Sequence, residues 1–302
     1  MNRSEYTHKA AELGFLEKQA ATPGISKLTL MSIQARIEQA RACLVDNGKL
    51  VYRPAKVRLT YRGVPVWGTH GVLAEFGTNA TRAFSVAITA IAASVSGSLA
   101  DKGPIPNRLS NQLLITGPAR GSFGFELEEI PADKQLDIEG TTPVSQAIDI
   151  LTELLEATTK SDEELSEPVS RLADRAIAAV SDFLNELSEN DASCALTTNT
   201  RRFQFSDVEQ VRRSKARLSR DNIKEDDETL TGAFVGVLPE KRVFEFKTNS
   251  GEIIHGRIPT EITTPNDING HLYMQLTIQV TARRIGSSNP RYRLKALPWA
   301  QS

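Results

Sequence analysis

The sequence of 302 residues has only two cysteines, Cys43 and Cys194, and no long hydrophobic run. Two cysteines cannot build a disulfide framework, so we expect the chain to work in a reducing compartment, the cytoplasm. The first thirty residues hold no apolar block, and we expect no signal peptide. The most apolar stretch, 78–98, is too short and too rich in Ser and Thr to span a bilayer. We therefore predict that the protein has no membrane partner.

Residue patterns that mark common catalytic sites are also missing. The four histidines are scattered along the chain: His8, His70, His255 and His271. Neither cysteine has a second metal ligand near it in sequence, and no serine has the context of a nucleophile elbow. The glycine-rich segment 117–124 contains no lysine and leads into a predicted strand, so it favours a hairpin turn over a phosphate loop. We expect no cofactor and no metal site.

One pattern indicates an enzyme instead. Glu245-Phe246-Lys247 lies on a predicted strand with Asp227 before it, and this resembles the D…E-x-K constellation of metal-dependent restriction-type nucleases. In those nucleases the carboxylates bind Mg²⁺ and the lysine helps to position the attacking water. Here Asp227 falls in a charged segment and the surrounding pattern is all β, which departs from that family. A nuclease, or an enzyme with an unrecognised site, is the alternative to a binding protein.

Charge is divided into three blocks although the net charge is only −1. Residues 1–121 carry a balance of +8, residues 122–191 a balance of −14, and residues 192–302 a balance of +5. Such segregation has three interpretations. The basic blocks bind nucleic acid, the oppositely charged blocks hold copies of the chain or another protein together, or the acidic block covers a basic surface. We predict self-association or a hetero-complex, with nucleic acid as a further ligand.

Hydrophobic periodicity predicts an α+β chain: a helix-rich, mixed α/β region followed by a small all-β barrel. The first domain is predicted to cover 1–223 and to contain an acidic αα-hairpin at about 142–190. The charged run 224–228 is predicted to be a linker, and 229–302 to be the barrel. The remaining elements of the first domain are helices at 4–21, 29–46, 78–98 and 207–220 (capped by Ser206 and Glu209), a strand within 49–67, a hairpin at 111–129 and a strand pair at 195–205.

The barrel prediction is supported by a resemblance. Segments 232–238, 243–246 and 251–256 are similar to strands of small β-barrels of the SH3-like and OB type. The wider layout, with Gly121-Ser122-Phe123 in a hairpin, an αα-hairpin and a terminal barrel, resembles bacterial proteins of mobile elements and antiviral defence gene clusters. That resemblance implies an accessory or sensing role and no catalytic residues.

Basic side chains are the candidate binding residues. Arg291, Arg293 and Lys295 alternate on the last predicted strand, so they share one face, and Arg283 and Arg284 end the strand before it. A cationic barrel edge of this kind suits single-stranded nucleic acid, or it guards an edge strand against aggregation. Further cations that extend such a footprint are Arg212, Arg213, Lys215 and Arg217 on a helix, and Lys56, Arg58 and Arg62 on a strand. The sequence thus predicts a non-enzymatic binding or assembly subunit that contacts nucleic acid or a partner protein through basic faces.

Overall fold

The computed structural model describes residues 12–13, 15–17, 19–20, 26–45, 54–97, 99–100, 102–119, 123–130 and 142–299. These residues belong to two compact units: 1–54 with 131–141, and 55–130 with 142–302. The protein is 40% helical and 30% strand, which confirms the predicted α+β class. No helix in the described part of the chain is both long and apolar enough to cross a membrane.

The first unit contains helical residues between 12 and 20 and helix α1 (Lys27–Val45). Leu16, Ile33 and Ile37 are buried in one cluster. Ile33 and Ile37 share a face of α1 because they lie four positions apart. Two ion pairs, Arg36–Glu12 and Arg41–Glu17, join the helical segments at 3.1 and 2.7 Å. Residues 4–11, 14, 18 and 21 of the predicted first helix lie outside the described residues.

The second unit begins with a five-stranded sheet packed on helices. Its strand order is β4-β5-β1-β6-β7, and a two-stranded β2–β3 hairpin follows β1. The strands are β1 (Lys56–Gly63), β2 (Val66–Trp67), β3 (Gly71–Val72), β4 (Leu113–Pro118), β5 (Phe123–Glu129), β6 (Ala192–Thr198) and β7 (Arg202–Gln204). The helices are α2 (Ala74–Val95), α3 (Pro143–Thr158), α4 (Asp162–Ser170), α5 (Asp174–Glu189) and α6 (Val208–Arg217).

Strand β1 shows the predicted alternation. Val57, Leu59 and Tyr61 are buried in the core, whereas Lys56 and Arg58 are exposed on the other face. The β4–β5 hairpin also forms as predicted. Its antiparallel pairs run from Leu113 opposite Glu129 to Pro118 opposite Phe125, with a bulge between Ile115 and Gly117. The tip of that hairpin, 120–122, lies outside the described residues.

The acidic segment contains three helices instead of the predicted two-helix hairpin. A capping box at Ser161 and Glu164 begins the extra helix α4: the Ser161 hydroxyl accepts from the Glu164 amide at 3.3 Å, and the Glu164 carboxylate accepts from the Ser161 amide at 3.1 Å. Apolar spacing alone does not reveal the start of α4, because polar side chains of the capping box mark it.

Helix α6 begins one residue later than predicted. Asp207, not Ser206, accepts the hydrogen bond from the amide of Gln210, at 2.7 Å. The Gln210 side chain in turn accepts from the Ser206 amide at 2.7 Å. Because Ser206 and Asp207 are adjacent and are followed three residues later by Glu209 and Gln210, two overlapping capping boxes fit the same sequence.

Residues 223–299 include a closed five-stranded barrel of β8 (Ile223–Leu238), β9 (Val243–Thr248), β10 (Ile253–Arg257), β11 (Leu276–Ile285) and β12 (Arg291–Leu294). The barrel order is β10-β12-β11-β8-β9, with β10 and β12 parallel. A 3₁₀ turn at Pro265–His271 connects the third strand to the fourth. This connectivity is that of an OB-type barrel, not of an SH3-like one.

The predicted linker is a strand. Residues 224–228 form the first part of β8 and pair with β11, from Lys224 opposite Arg284 to Glu228 opposite Val280. Both faces of this stretch are mostly solvent-exposed, so it lacks the apolar alternation by which strands are recognised. The division of the chain into an α+β domain and a separately folding barrel stays a prediction.

Candidate functional site on the barrel

The predicted basic stripe lies along one cleft of the barrel. Arg291, Arg293 and Lys295 all line a cleft of about 320 Å³, as their alternation on the strand requires. Arg283 lines the same cleft, because β11 places it opposite Arg291 in the antiparallel register. Arg284, the next residue, points to the other side of β11. The structure therefore brings four of the five predicted barrel cations together.

Acidic residues of β8 neutralise part of this stripe. The Lys295 ammonium donates to the Asp227 carboxylate at 2.7 Å, and the Thr281 hydroxyl donates to the other Asp227 oxygen at 3.1 Å. These two hydrogen bonds hold the pKa of Asp227 below its usual range. Arg283 forms an ion pair with Glu225. The acidic run that resembles a linker in sequence is thus the partner of the basic stripe.

Helix α4 supplies the second set of carboxylates. Arg291 donates to Glu163 at 2.8 Å and to the Ser166 hydroxyl at 3.0 Å. Arg257, at the end of β10, donates to Glu167 at 2.9 Å. Burial raises the pKa of Glu167, but hydrogen bonds and charge from Arg257 and from Arg171 outweigh burial and leave this pKa lowered. The acidic face of α4 therefore covers basic residues of the barrel.

Arg283 anchors the barrel to the end of α4. Its side chain is only 11% exposed, and it donates to the carbonyls of Val169 and Leu172, each at 2.9 Å. It also forms an ion pair with Asp174, the first residue of α5. A guanidinium at a helix C-terminus satisfies carbonyls that have no partner in the helix and matches the negative end of the helix dipole.

Asp162 connects three elements at the N-terminus of α4. Its carboxylate accepts from the amide of Ser287 at 3.2 Å and from the guanidinium of Arg217 at 2.7 Å. The Ser287 hydrogen bond, followed by that of Arg217, lowers the pKa of Asp162. Gly286 has φ +50, and a Cβ there would lie 2.3 Å from the carboxylate. Only glycine fits this turn without displacing Asp162.

The other predicted binding residues divide into paired and unpaired cations. Ion pairs hold Lys56 to Glu128 at 2.7 Å, Arg58 to Glu126 at 3.2 Å, Arg284 to Glu228 at 3.9 Å, and Arg293 to Glu261 at 3.6 Å. Arg212 is paired with Glu209 and Asp191, and Arg217 with Asp162. Within the described part of the chain, three predicted cations form no ion pair: Arg62, Arg213 and Lys215.

A second cleft, of about 430 Å³, lies between α4 and strands β9 and β10. Glu167, Arg257, His255 and Glu245 are among the residues that line it. The His255 ring nitrogen lies 3.5 Å from the Glu245 carboxylate, and both side chains are more than half exposed. Sequence reasoning missed Arg257, because a single arginine at a strand end carries no pattern.

The nuclease-like residues are not assembled into a metal site. Glu245 pairs with Gly236 on β8, whereas Asp227 lies nine residues earlier on the same strand and is bound to Lys295. Among the described residues there is no group of three or more metal-ligating side chains. Cys194 is fully buried, and burial raises the pKa of its thiol, which keeps it protonated and unreactive.

Comparison with protein-family models, curated proteins and solved structures gives no match for this chain. The site is therefore interpreted from its own geometry: an OB-type barrel with a cleft beside β12 that is lined by four cations and by the carboxylates of Asp174, Glu225 and Glu261, and an acidic helix that binds part of those cations.

Proposed function

We propose that the protein is a non-enzymatic binding subunit of a larger assembly and that its barrel contacts nucleic acid. The observation that carries this proposal is the connectivity of the barrel: five strands in OB order with a helical turn between the third and fourth. Barrels of this type commonly bind oligonucleotides. Because one fold serves many functions, the site residues are where this contact is tested.

Two cations of the stripe are suited to exchange their partners for phosphates. Arg293 and Lys295 are each 43% exposed, and their partners Glu261 and Asp227 are each 65% exposed. Exposed ion pairs contribute only about 0.2–1 kcal/mol, so a phosphate can replace the carboxylate at little cost. Arg283 and Arg291 are held by α4 and remain structural. The proposed nucleic-acid contact therefore centres on Arg293 and Lys295.

Binding of labelled oligothymidylate and oligouridylate, followed by fluorescence anisotropy at about 50 and about 200 mM salt, tests this proposal. We expect weak binding that tolerates sequence and falls steeply with salt. Arg293→Ala with Lys295→Ala should lower the affinity about tenfold. The slope of log affinity against log salt concentration should become shallower by roughly 1.4, because each phosphate contacted on a single strand contributes about 0.7.

The matched control is Arg213→Ala with Lys215→Ala, which removes two cations that form no ion pair with described residues. We expect this variant to bind as the wild type does. If the control loses affinity and the barrel variant does not, the footprint lies on α6. Absence of binding by the wild type at the lower salt would contradict the nucleic-acid contact and leave a partner protein as the ligand.

We also propose that the protein joins a complex, with copies of itself or with another protein, as an accessory or sensing component of a bacterial system such as antiviral defence. The acidic and basic blocks already pair within the chain at Glu163 and Arg291 and at Asp174 and Arg283. Because these charges already have partners within the chain, we expect association not to depend on them and therefore to persist at high salt. Light scattering at two salt concentrations measures this. A monomer under both conditions, with no co-purifying protein, contradicts this proposal.

A further inference from the structure

Three arginines converge on a cleft that shares no residue with the two barrel clefts. Arg82 on α2, Arg108 on the segment between α2 and β4, and Arg175 in the first turn of α5 line a volume of about 390 Å³. No aspartate or glutamate of the described chain lines this cleft. This is unusual for the protein, because most of the cations predicted from sequence are matched with carboxylates.

No carboxylate among the described residues forms an ion pair with these three guanidinium groups. Arg175 donates to the carbonyls of Ala100 at 3.1 Å and Gly103 at 2.6 Å, which fixes its side chain without neutralising it. Arg82 and Arg108 are exposed and form no ion pair with any described residue. Three like charges around one cleft repel each other unless an anion lies between them.

The cleft has a defined floor and wall. Ser85, Val86 and Thr89 lie three, four and seven residues after Arg82, so the four residues share a face of α2. The Thr89 hydroxyl lies 3.3 Å from the carbonyl of the buried Asn111 and 2.8 Å from that of Ser85, which ties the segment bearing Arg108 to the helix.

The side chains of Val86 and Ile105 add apolar surface beside the arginines. A volume of about 390 Å³ lies in the range of small-molecule sites and exceeds what an inorganic anion needs. Arginine forks bind phosphate oxygens through paired, charge-assisted hydrogen bonds, which is stronger than neutral hydrogen bonding.

From this geometry we propose that the cleft binds a small organic phosphate. The phosphate group lies between Arg82, Arg108 and Arg175, and the organic part contacts Val86 and Ile105. The site is independent of the proposed nucleic-acid contact, because it uses neither the barrel nor α6.

Calorimetric titration with phenyl phosphate, inorganic phosphate and phenol tests both halves of the site. We expect phenyl phosphate to bind most tightly, inorganic phosphate more weakly, and phenol not measurably. Arg82→Ala with Arg108→Ala should lower the affinity for phenyl phosphate about a hundredfold, at about tenfold for each charge-assisted contact. Arg175 is left unchanged because its removal would also free two backbone carbonyls.

The matched control is Arg62→Ala with Arg213→Ala, two arginines without ion pairs in the described chain, and it should bind phenyl phosphate like the wild type. Each variant is checked for an unchanged melting temperature. The proposal is overturned if the Arg82/Arg108 variant binds phenyl phosphate as tightly as the wild type, or if the control loses as much affinity as that variant. It is also overturned if the wild type does not bind phenyl phosphate at millimolar concentration. Phenyl phosphate that binds no tighter than inorganic phosphate overturns the organic part of the ligand. If the Arg82/Arg108 variant loses affinity for oligonucleotides but not for phenyl phosphate, the cleft binds a polyanion and the proposal of a small organic phosphate is overturned as well.

Discussion

Arg291 on the last strand of the barrel donates to Glu163 on α4 at 2.8 Å, although 128 residues separate them in sequence. Glu163 belongs to the block of balance −14 and Arg291 to the block of balance +5. The segregated charge of the sequence is therefore used, at least in part, to join elements of one chain. Four basic side chains take part in this connection, and their partner carboxylates lie on α4 or, for one of them, at the start of α5: Arg217, Arg257, Arg291 and, with Asp174, Arg283.

Arg283 is expected to be the most important of these for stability. Arg283→Ala removes the side-chain donor to the carbonyls of Leu172 and of Val169, the second of which keeps the Leu172 amide at 3.2 Å, and it breaks the ion pairs with Asp174 and Glu225. It should lower the free energy of unfolding by about 2–4 kcal/mol. Arg284→Ala is the control, because that side chain is 49% exposed and its ion pair is 3.9 Å long. We expect it to cost less than about 1 kcal/mol. Urea unfolding measures both, and equal costs would show that Arg283 is not an anchor.

The turn between β11 and β12 gives a second prediction. Gly286→Ala introduces a Cβ at positive φ and within 2.3 Å of the Asp162 carboxylate. Gly251→Ala also places a Cβ at positive φ, +89, but with nothing within 4 Å. We expect Gly251→Ala to lower the free energy of unfolding by about 1 kcal/mol and Gly286→Ala by at least 1 kcal/mol more. If the two losses are the same, the close approach to Asp162 has no energetic weight.

The pH dependence of stability should depend on Asp162. Its pKa is lowered in the folded protein by the Ser287 amide and by Arg217, so the ionised form stabilises the fold. This contribution is fully present above the pKa of the unfolded chain, about 3.9, and disappears as the pH falls through the lower folded value. Asp162→Asn should therefore be less stable than the wild type at about pH 7 but not at about pH 2.

Chemical denaturation across this pH range checks the prediction for Asp162. Asp182→Asn serves as the control, because Asp182 is exposed on α5 and has no ion pair in the described chain. A stability difference for Asp162→Asn that stays constant down to the lowest pH would contradict the assigned role.

Much of the fold could be predicted from sequence because burial leaves a periodic signal. The spacing of Ile33, Ile37 and Ala40 on α1, and the alternation of Val57, Leu59 and Tyr61 on β1, are patterns of side chains that the structure buries. The barrel strands are recognised for the same reason.

The candidate site could be predicted only in part, because ion pairs between distant residues leave no such signal. The alternation of Arg291, Arg293 and Lys295 indicates a shared face, but nothing in the sequence indicates that Asp227, 68 residues earlier, binds Lys295. The acids of β8 lie on an exposed stretch of strand, so their pattern is that of a charged linker.

Limited proteolysis distinguishes a linker from a strand at this position. Lys224 is followed by β8 residues that pair along their length with β11. Trypsin should therefore cut slowly after Lys224, since a protease needs an extended, unpaired backbone. Mass spectrometry of early fragments identifies the first cuts. Two stable fragments formed early by cleavage at Lys224 would contradict the paired strand and support separate folding of the barrel.

The central claim is that the acidic helix α4 and the basic face of the barrel stabilise each other, and a double-mutant cycle on Arg291→Ala and Glu163→Ala tests it most directly. The cycle measures the coupling free energy between the two side chains in urea unfolding. The reference cycle uses Arg293→Ala and Glu261→Ala, an exposed pair at 3.6 Å on the same barrel. We predict a coupling of about 1 kcal/mol for Arg291 with Glu163 and close to zero for the reference pair. A coupling near zero for both pairs would contradict the account.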